Sequence, residues 1–242
     1  MLMLRSVRRL SGFRIRAADG GLGRPKNWLF DDAQWTMRYL VLEAGFWPAR
    51  HRVLVGPFAF GRIDEPAWLL CLEGTRKSLQ DGSPLAMEGD GASPREQEHS
   101  RRLAWLWHDG AGFMSRTGIE TAQDDLGALT RHCHDPHLRS WREALGCRIQ
   151  AGNAEIGRIT DFIAEDHDWT ILYLVVDTGH SWAGKKLLVL PHWIETVNWE
   201  DGVVQVNVAR QLICDAPQFI PSLLAKRDYQ EELFGIYYGQ TP

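Results

Sequence analysis

The chain has 242 residues, a formal net charge of −4 at pH 7 and hydrophobic residues at 44% of its positions. This charge gives no basic footprint for nucleic acid or for an acidic membrane surface. No stretch approaches the ~20 apolar residues of a membrane span, and the basic N-terminus lacks an apolar run of signal-peptide length. We therefore expect a cytoplasmic protein that does not bind nucleic acid or span a membrane, with association to a membrane complex left open.

One seven-residue phrase occurs twice. The sequence "WTMRYLV" at residues 35–41 returns as "WTILYLV" at residues 169–175, an offset of 169 − 35 = 134. At the same offset "LRSVRRLSGFRIRA" (residues 4–17) aligns with "LRSWREALGCRIQA" (residues 138–151). The alignment runs without a gap through turns and apolar segments. It indicates an internal duplication, with two copies of one domain that each own a core.

The duplication sets the predicted domains. The first copy spans 4–114 and the second 138–242, with a linker at 115–137, and each has a size near the lower end of what one core can stabilise. We expect the two copies to pair within the chain with approximate two-fold symmetry. Whether the chain is a monomer or a homodimer stays open.

The first copy departs from the second at two turns. Glu43-Ala44 stands where the second copy has Asp177-Thr178, and Pro66 with Trp68 replaces a clean hairpin signal. Proline removes a backbone donor and so disfavours a hairpin at this turn. Together these departures indicate that the first copy has diverged further. Its terminal segment, residues 93–110, predicts a helix, because Ser93 is a suitable N-cap and Pro94 suits the first helical position.

A polar cluster, "RHCHDPH", lies in the linker. Its imidazoles His132, His134 and His137 are ligand types for a transition metal such as zinc. The alternative is an ordinary linker, since Pro136 restricts the cluster and no second ligand group is evident. Four scattered cysteines lack a C-x-x-C spacing and are interpreted as ordinary thiols.

The sequence of the second copy predicts short strands separated by turns. The residues Ile156, Ile159, Phe162 and Ile163 are spaced as in a strand with one buried face and a bulge or bend, and "WTILYLVVD" is predicted to be a strand buried on both sides. The pair Asp201-Gly202 favours a tight hairpin turn between two further strands. Residues 225–239 have apolar residues at helical spacings and predict a terminal helix. The expected fold is mainly β, with two tandem small antiparallel β-barrels that each carry a C-terminal helix.

Three stretches carry a family resemblance. Residues 137–179, residues 185–208 and the closing Tyr-Tyr-Gly at 237–239 resemble the PRC-barrel family, and tandem PRC-barrel proteins of bacteria are the nearest pattern. The family includes the cytoplasmic part of the photosynthetic reaction-centre H subunit and the C-terminal domain of the ribosome maturation factor RimM. The resemblance implies a fold, not a catalytic activity.

Candidate chemistry is sparse. The acidic runs "FDD" and "AEDHD" are interpreted as turn residues, and the glycines of "DGGLG" as a hairpin turn. No nucleophile has a recognisable elbow or base, so we expect a protein without catalysis and without a cofactor.

The loops after the central strands favour a binding role. Aromatic and basic residues there are of the types that dominate protein interfaces, although each Trp could instead fill the end of its own barrel. The candidate interaction surface comprises Trp47, Arg50, Arg52, Trp182, Lys185, Lys186, Trp107 and Tyr237. The sequence thus predicts a protein-binding, assembly or adaptor module with an unidentified partner. The alternative is a small-molecule sensor or enzyme that uses a cleft between the two copies.

Overall fold

The structure is a computed structural model that describes residues 3–44, 51–77, 136–179 and 184–238. These residues are mainly in β-strands, which confirms the predicted fold class at that level. Within them, no helix is both long and apolar enough to cross a membrane.

The strands and helices follow the chain in this order. The strands are β1 Leu4–Ser6, β2 Arg14–Ala17, β3 Gly20–Gly23, β4 Asn27–Asp31, β5 Thr36–Ala44, β6 His51–Val55, β7 Phe60–Asp64, β8 Leu69–Leu72, β9 Leu138–Ser140, β10 Arg148–Ala151, β11 Ala154–Glu165, β12 Ile171–Asp177, β13 Lys186–Val189, β14 Ile194–Asn198 and β15 Val203–Val206. The α-helices are α1 Val7–Leu10, α2 Trp141–Ala144, α3 Arg210–Asp215 and α4 Arg227–Tyr238. Short 3-10 turns lie at Pro57–Ala59, Pro191–Trp193 and Pro221–Leu223.

The chain divides into two compact units. The C-terminal unit comprises Met1–Arg9, Ala33–Met37 and Trp141–Pro242, and the N-terminal unit comprises Leu10–Asp32 and Arg38–Ser140. Both units are therefore discontinuous along the sequence. The boundaries 4–114 and 138–242 of the two copies stay a prediction.

The C-terminal unit contains one sheet in the order β13-β12-β11-β10-β15-β14, with β1 paired to β11. Most pairs are antiparallel, and β10 and β15 are parallel. Strand β12 is buried on both faces along most of its length, as its continuous apolar sequence predicts. Register shifts in β11 let it pair with β10 at one end and with β12 at the other.

The N-terminal unit contains two four-stranded sheets. Their strand orders are β3-β2-β8-β7 and β6-β5-β4-β9. Strands β2 and β8 are parallel, as are the corresponding β10 and β15. None of the three sheets closes on itself in the part of the chain that the structure describes.

The first strand of each copy pairs with the other copy's sequence. Strand β1 is antiparallel to β11, with Arg5 opposite Ala164, and β9 is antiparallel to β4, with Arg139 opposite Phe30. These two registers correspond when 134 is added to the β1 numbers and subtracted from the β11 numbers. The repeated "LRS" segments are thus exchanged reciprocally.

The two matched tryptophans lie in tight turns before the central strands. Trp35 has φ 51° and Trp169 has φ 62°, in the left-handed region that few large side chains adopt. Thr36 forms a β-bridge with Thr170, and the flanking backbone hydrogen bonds are 2.9 Å and 2.7 Å long. Both tryptophans are buried, so they contribute to the core.

Helix α4 covers the core of the C-terminal unit. Leu233 and Tyr237 pack with Tyr173 and Leu188 in one apolar cluster. The side chain of Gln230 fastens the helix to β1, because its Oε1 accepts a hydrogen bond from the Leu4 amide at 3.0 Å. The predicted helix at the end of the first copy lies outside the described residues.

One predicted turn differs in its detail. The loop between β14 and β15 contains four residues, and only Gly202 has a positive φ, at 61°. Asn198 and Asp201 close the loop through two hydrogen bonds between them. This side-chain pairing holds the longer turn in place of the two-residue hairpin that Asp201-Gly202 suggests.

Candidate functional site

A groove on the N-terminal unit is lined by three arginines. Arg14 and Arg16 lie on β2 with exposed side chains, and the intervening Ile15 is buried. This alternation follows from the two-residue period of a strand, which sends successive side chains to opposite faces. Arg24 follows β3 and lines the same groove, whose volume is about 490 Å³.

The floor of the groove is low because β3 carries glycines on its outer face. Gly21 lies opposite Arg16 in the β2-β3 register. A Cβ placed on Gly21 or on Gly23 would meet no atom within 4 Å. Ala67 and Leu69 contribute the small apolar part of the lining. The three guanidinium groups therefore surround exposed backbone and open space.

The described residues that line this groove carry positive charge only, from three arginines. One acid, Asp64, borders the groove, where its carboxylate accepts a hydrogen bond from the Ala67 amide at 3.1 Å. Within the described residues, no ion pair involves Arg14, Arg16 or Arg24. The chain as a whole carries a net charge of −4, so this local concentration of arginine is a feature of the groove and not of the composition.

The corresponding face of the C-terminal unit is neutral. Adding 134 converts Gly21 to Glu155 and Ala67 to Asp201, while Arg16 becomes a glutamine. Arg158 lies 3.8 Å from the Glu155 carboxylate and donates to the Gly146 carbonyl at 3.1 Å. At the positions equivalent to the groove lining, two arginines and two acids give 2 − 2 = 0, against +3 in the groove. The bordering Asp64 corresponds to the neutral Asn198, so counting it lowers the difference from 3 to 2.

Arginine clusters of this kind bind anions. The planar guanidinium presents paired N–H donors that match a carboxylate or a phosphate, and such charge-assisted hydrogen bonds are about twice as strong as neutral ones. The lining residues supply no general base and no nucleophile. The groove is thus suited to binding an anion, and its own residues do not form a catalytic constellation.

A second polar cluster is buried at the end of β1. The Asp161 carboxylate accepts hydrogen bonds from the Ser6 hydroxyl at 2.5 Å and from the Arg8 amide at 2.9 Å. It also accepts from the Phe162 amide at 2.8 Å. Burial raises the pKa of Asp161 to about 6, despite these hydrogen bonds. Ser6 and Arg8 lie at the end of β1 and the start of α1, so the Asp161 carboxylate holds this segment against β11.

Four of the eight predicted interaction residues are among the described residues. Lys185 is exposed, and Lys186 begins β13 and pairs with Asp177. Arg52 lies in β6 opposite Glu43. Tyr237 is only 7% exposed and packs edge-on against Tyr173, with ring centroids 5.5 Å apart. Burial raises the pKa of Tyr237 to about 12. The other members of the set, Trp47, Arg50, Trp182 and Trp107, lie outside the described residues.

One histidine of the linker cluster is described. The Nδ1 atom of His137 is 2.9 Å from the Asp32 carboxylate, which also accepts a hydrogen bond from Arg139 at 3.2 Å. The residues for which coordinates are described contain no group of three or more potential metal ligands. His132 and His134 lie outside those residues.

The arginine groove was missed by motif reasoning because it contains no motif. Its signal is a difference between the two copies, at positions where one copy has glycine or alanine and the other has an acid. Residue-by-residue subtraction of charge at the 134-residue offset would have found it.

No protein-family model matches the sequence, and no curated protein is significantly similar to it.

Proposed function

We propose that this chain is a tandem PRC-barrel-like protein, arisen by internal duplication, that acts without catalysis as a binding or assembly module. In this proposal the arginine groove is the docking site for an anionic protein partner. The mainly β units and the hydrogen bonds that recur at an offset of 134 residues support the duplicated architecture.

The charge difference between the two corresponding faces carries the functional part of the proposal. The equivalent positions lie on corresponding strands and turns, but one face has Glu155 and Asp201 beside its arginines, and the other has Gly21 and Ala67. Unpaired arginines that lie close together repel one another, so they lower stability unless an anion joins them. A partner with negative charge supplies that anion.

The test compares one triple variant with one double variant, both made in the full chain. The groove variant carries Arg14→Gln, Arg16→Gln and Arg24→Gln, and the control carries Arg148→Gln and Arg158→Gln on the corresponding neutral face. Each protein is immobilised and exposed to extract of the native host, and bound proteins are quantified by mass spectrometry. We expect a specific protein to be lost at least tenfold from the groove variant and retained by the control.

The protein found in this way is then purified and its affinity for the three chains is measured in solution at two salt concentrations. The expected Kd is about tenfold or more weaker for the groove variant, a loss of about 1.4 kcal/mol. The affinity for wild type should fall as salt rises, because the contacts are ionic. Equal binding by wild type and groove variant would contradict the proposal.

A further inference from the structure

We infer that the arginine groove receives an extended acidic peptide segment of the partner, with carboxylates at alternate residues. This inference rests on the proposed function and specifies the chemistry of the partner. It derives from the spacing of the arginines, the shape of the groove floor and the unpaired edge beside it.

The spacing of the arginines matches the period of an extended peptide. Arg14 and Arg16 are two residues apart on β2, so their Cα atoms are separated by about 6.5–7 Å at the rise of a strand. Residues i and i+2 of an extended peptide have the same separation and point to the same side. Residues i and i+2 of a helix do not share a face, so a helical acidic segment presents one carboxylate at a time to this pair.

The glycines of β3 leave room for the acidic side chains of a bound peptide. Gly21 lies beside Arg16, and its outer side is open to at least 4 Å. In the C-terminal unit the corresponding space belongs to the Glu155 side chain. A peptide paired with the edge of β3 can therefore extend its acidic side chains across Gly21 and Gly23 to reach the arginines.

The edge of β3 offers hydrogen bonds to such a peptide. Among the described strands, β3 pairs with β2 alone and forms the end of its sheet. Its outer backbone groups can pair with an added strand, the mode called β-augmentation, in which the main chain gives affinity and side chains give specificity. Arg14, Arg16 and Arg24 then select acidic residues.

The open shape of the site disfavours a small phosphate compound. Small ligands are held in concave sites that bury most of their surface. This groove lies on an exposed sheet face, and its three arginine side chains are all exposed. A segment of a larger protein can cover such a surface, because it contacts the floor, the edge and the arginines together.

The experiment uses two labelled peptides of identical composition and the full-length protein. The first peptide, Ser-Asp-Val-Asp-Val-Asp-Ser, places its carboxylates at alternate residues, and the second, Ser-Asp-Asp-Val-Val-Asp-Ser, has no two carboxylates at positions i and i+2. Fluorescence anisotropy at low and at physiological salt gives the Kd of each. We expect at least tenfold tighter binding of the alternating peptide.

Two variants locate the binding. The substitution Gly21→Glu imports the acidic residue of the corresponding face into open space, and it should weaken the alternating peptide at least tenfold. Arg14→Gln with Arg16→Gln should do the same by removing the donors, and Arg148→Gln with Arg158→Gln should leave the Kd unchanged. Circular dichroism and thermal melting confirm the fold of each variant, and the arginine variant carries the test if Gly21→Glu does not fold.

Three results would overturn the inference: equal affinity for both peptides, binding that survives the arginine variant, or inorganic pyrophosphate that binds through the same arginines more tightly than the alternating peptide. The host-extract experiment separates these failures from failure of the proposed function. If the groove variant still loses its partner there, the docking site stands and only the extended acidic peptide is wrong.

Discussion

The two exchanged strands are anchored by the same hydrogen bonds with one difference in chemistry. At the end of β1 the hydroxyl of Ser6 donates to Asp161, and at the end of β9 the hydroxyl of Ser140 accepts from the amide of Asn27 at 2.8 Å. Both polar residues also accept from the next backbone amide. A carboxylate and its neutral isostere thus occupy corresponding buried positions. At this position only the C-terminal unit has a titratable side chain, that of Asp161.

The neighbouring ion pairs differ in burial. Arg5 is 8% exposed and contacts Asp166 at 2.8 Å, while the corresponding Arg139 is 35% exposed and contacts Asp32 at 3.2 Å. The carboxylates differ in the opposite sense, with Asp166 19% and Asp32 11% exposed, but Asp32 keeps its contact with His137 when Arg139 is removed. Arg5 donates to Asp166 through both Nε and Nη2 and is itself buried, so its removal loses two charge-assisted hydrogen bonds together with buried packing. The β1 anchor should therefore be the more sensitive of the two.

The largest effect is expected from Arg5→Ala. This change leaves the Asp166 carboxylate partly buried without its guanidinium, and we expect the free energy of unfolding to fall by about 3 kcal/mol. The matched change Arg139→Ala should cost about 0.5–1 kcal/mol. Chemical denaturation of both variants measures the difference. Equal losses would show that the two anchors are energetically equivalent despite their different burial.

The next effect concerns Asp161 and pH. Its pKa of about 6 exceeds the ordinary value of 3.8, so the folded chain holds this proton more tightly than the unfolded chain. The free energy of unfolding contributed by Asp161 is therefore greatest below about pH 4, falls as the pH rises to about 6, and is flat above that. Asp161→Asn removes this slope.

At pH 8 the Asp161→Asn variant should be more stable than wild type by about 2 kcal/mol, below the ~3 kcal/mol that a pKa difference of about 2 represents. The reverse change, Asn27→Asp, should introduce a similar slope into the other anchor. Urea unfolding at several values between pH 4 and pH 8 gives both slopes. A variant whose pH profile parallels wild type would assign the slope to another group.

The smallest effect is expected at the turn where Trp68 stands in place of Gly202. Trp68 has φ 52°, a strained value for a large side chain, and its ring lies 5.4 Å from that of Phe13. Trp68→Gly relieves backbone strain of about 1 kcal/mol, but it loses an aromatic contact of about 1 kcal/mol and the burial of about half of the indole. The losses outweigh the relief, so the free energy of unfolding should fall by about 1 kcal/mol. An unchanged or higher stability in thermal unfolding would show that the backbone strain dominates.

The sequence predicted the elements that local pattern determines. The continuous apolar run of β12, the bulged strand β11 and helix α4 all follow from periodicity and residue type. It did not predict the exchange of β1 and β9, because both "LRS" segments are identical and either one satisfies either pairing locally. That choice depends on partners more than a hundred residues away, such as Asp161 for Ser6.

The candidate site was predictable only through comparison of the copies. Arginines at alternate positions of a short strand are ordinary in any sequence, and glycine next to them signals a turn as readily as a groove. The parallel pairing of β2 with β8 brings Leu69 next to Arg14, which sequence spacing alone does not show. Loss of the acids at Gly21 and Ala67 is the feature that gives the groove its charge.

The position of β1 has a consequence for synthesis of the chain. Leu4 pairs with Glu165, so 165 − 4 = 161 positions separate the two partners. At about 5–20 residues per second, a ribosome needs roughly 8–30 s to make that stretch. The apolar residues that follow, such as Val7, must wait unpaired for that time while the rest of the chain emerges. Co-translational pairing of β1 can therefore be completed only after residue 165 has been made.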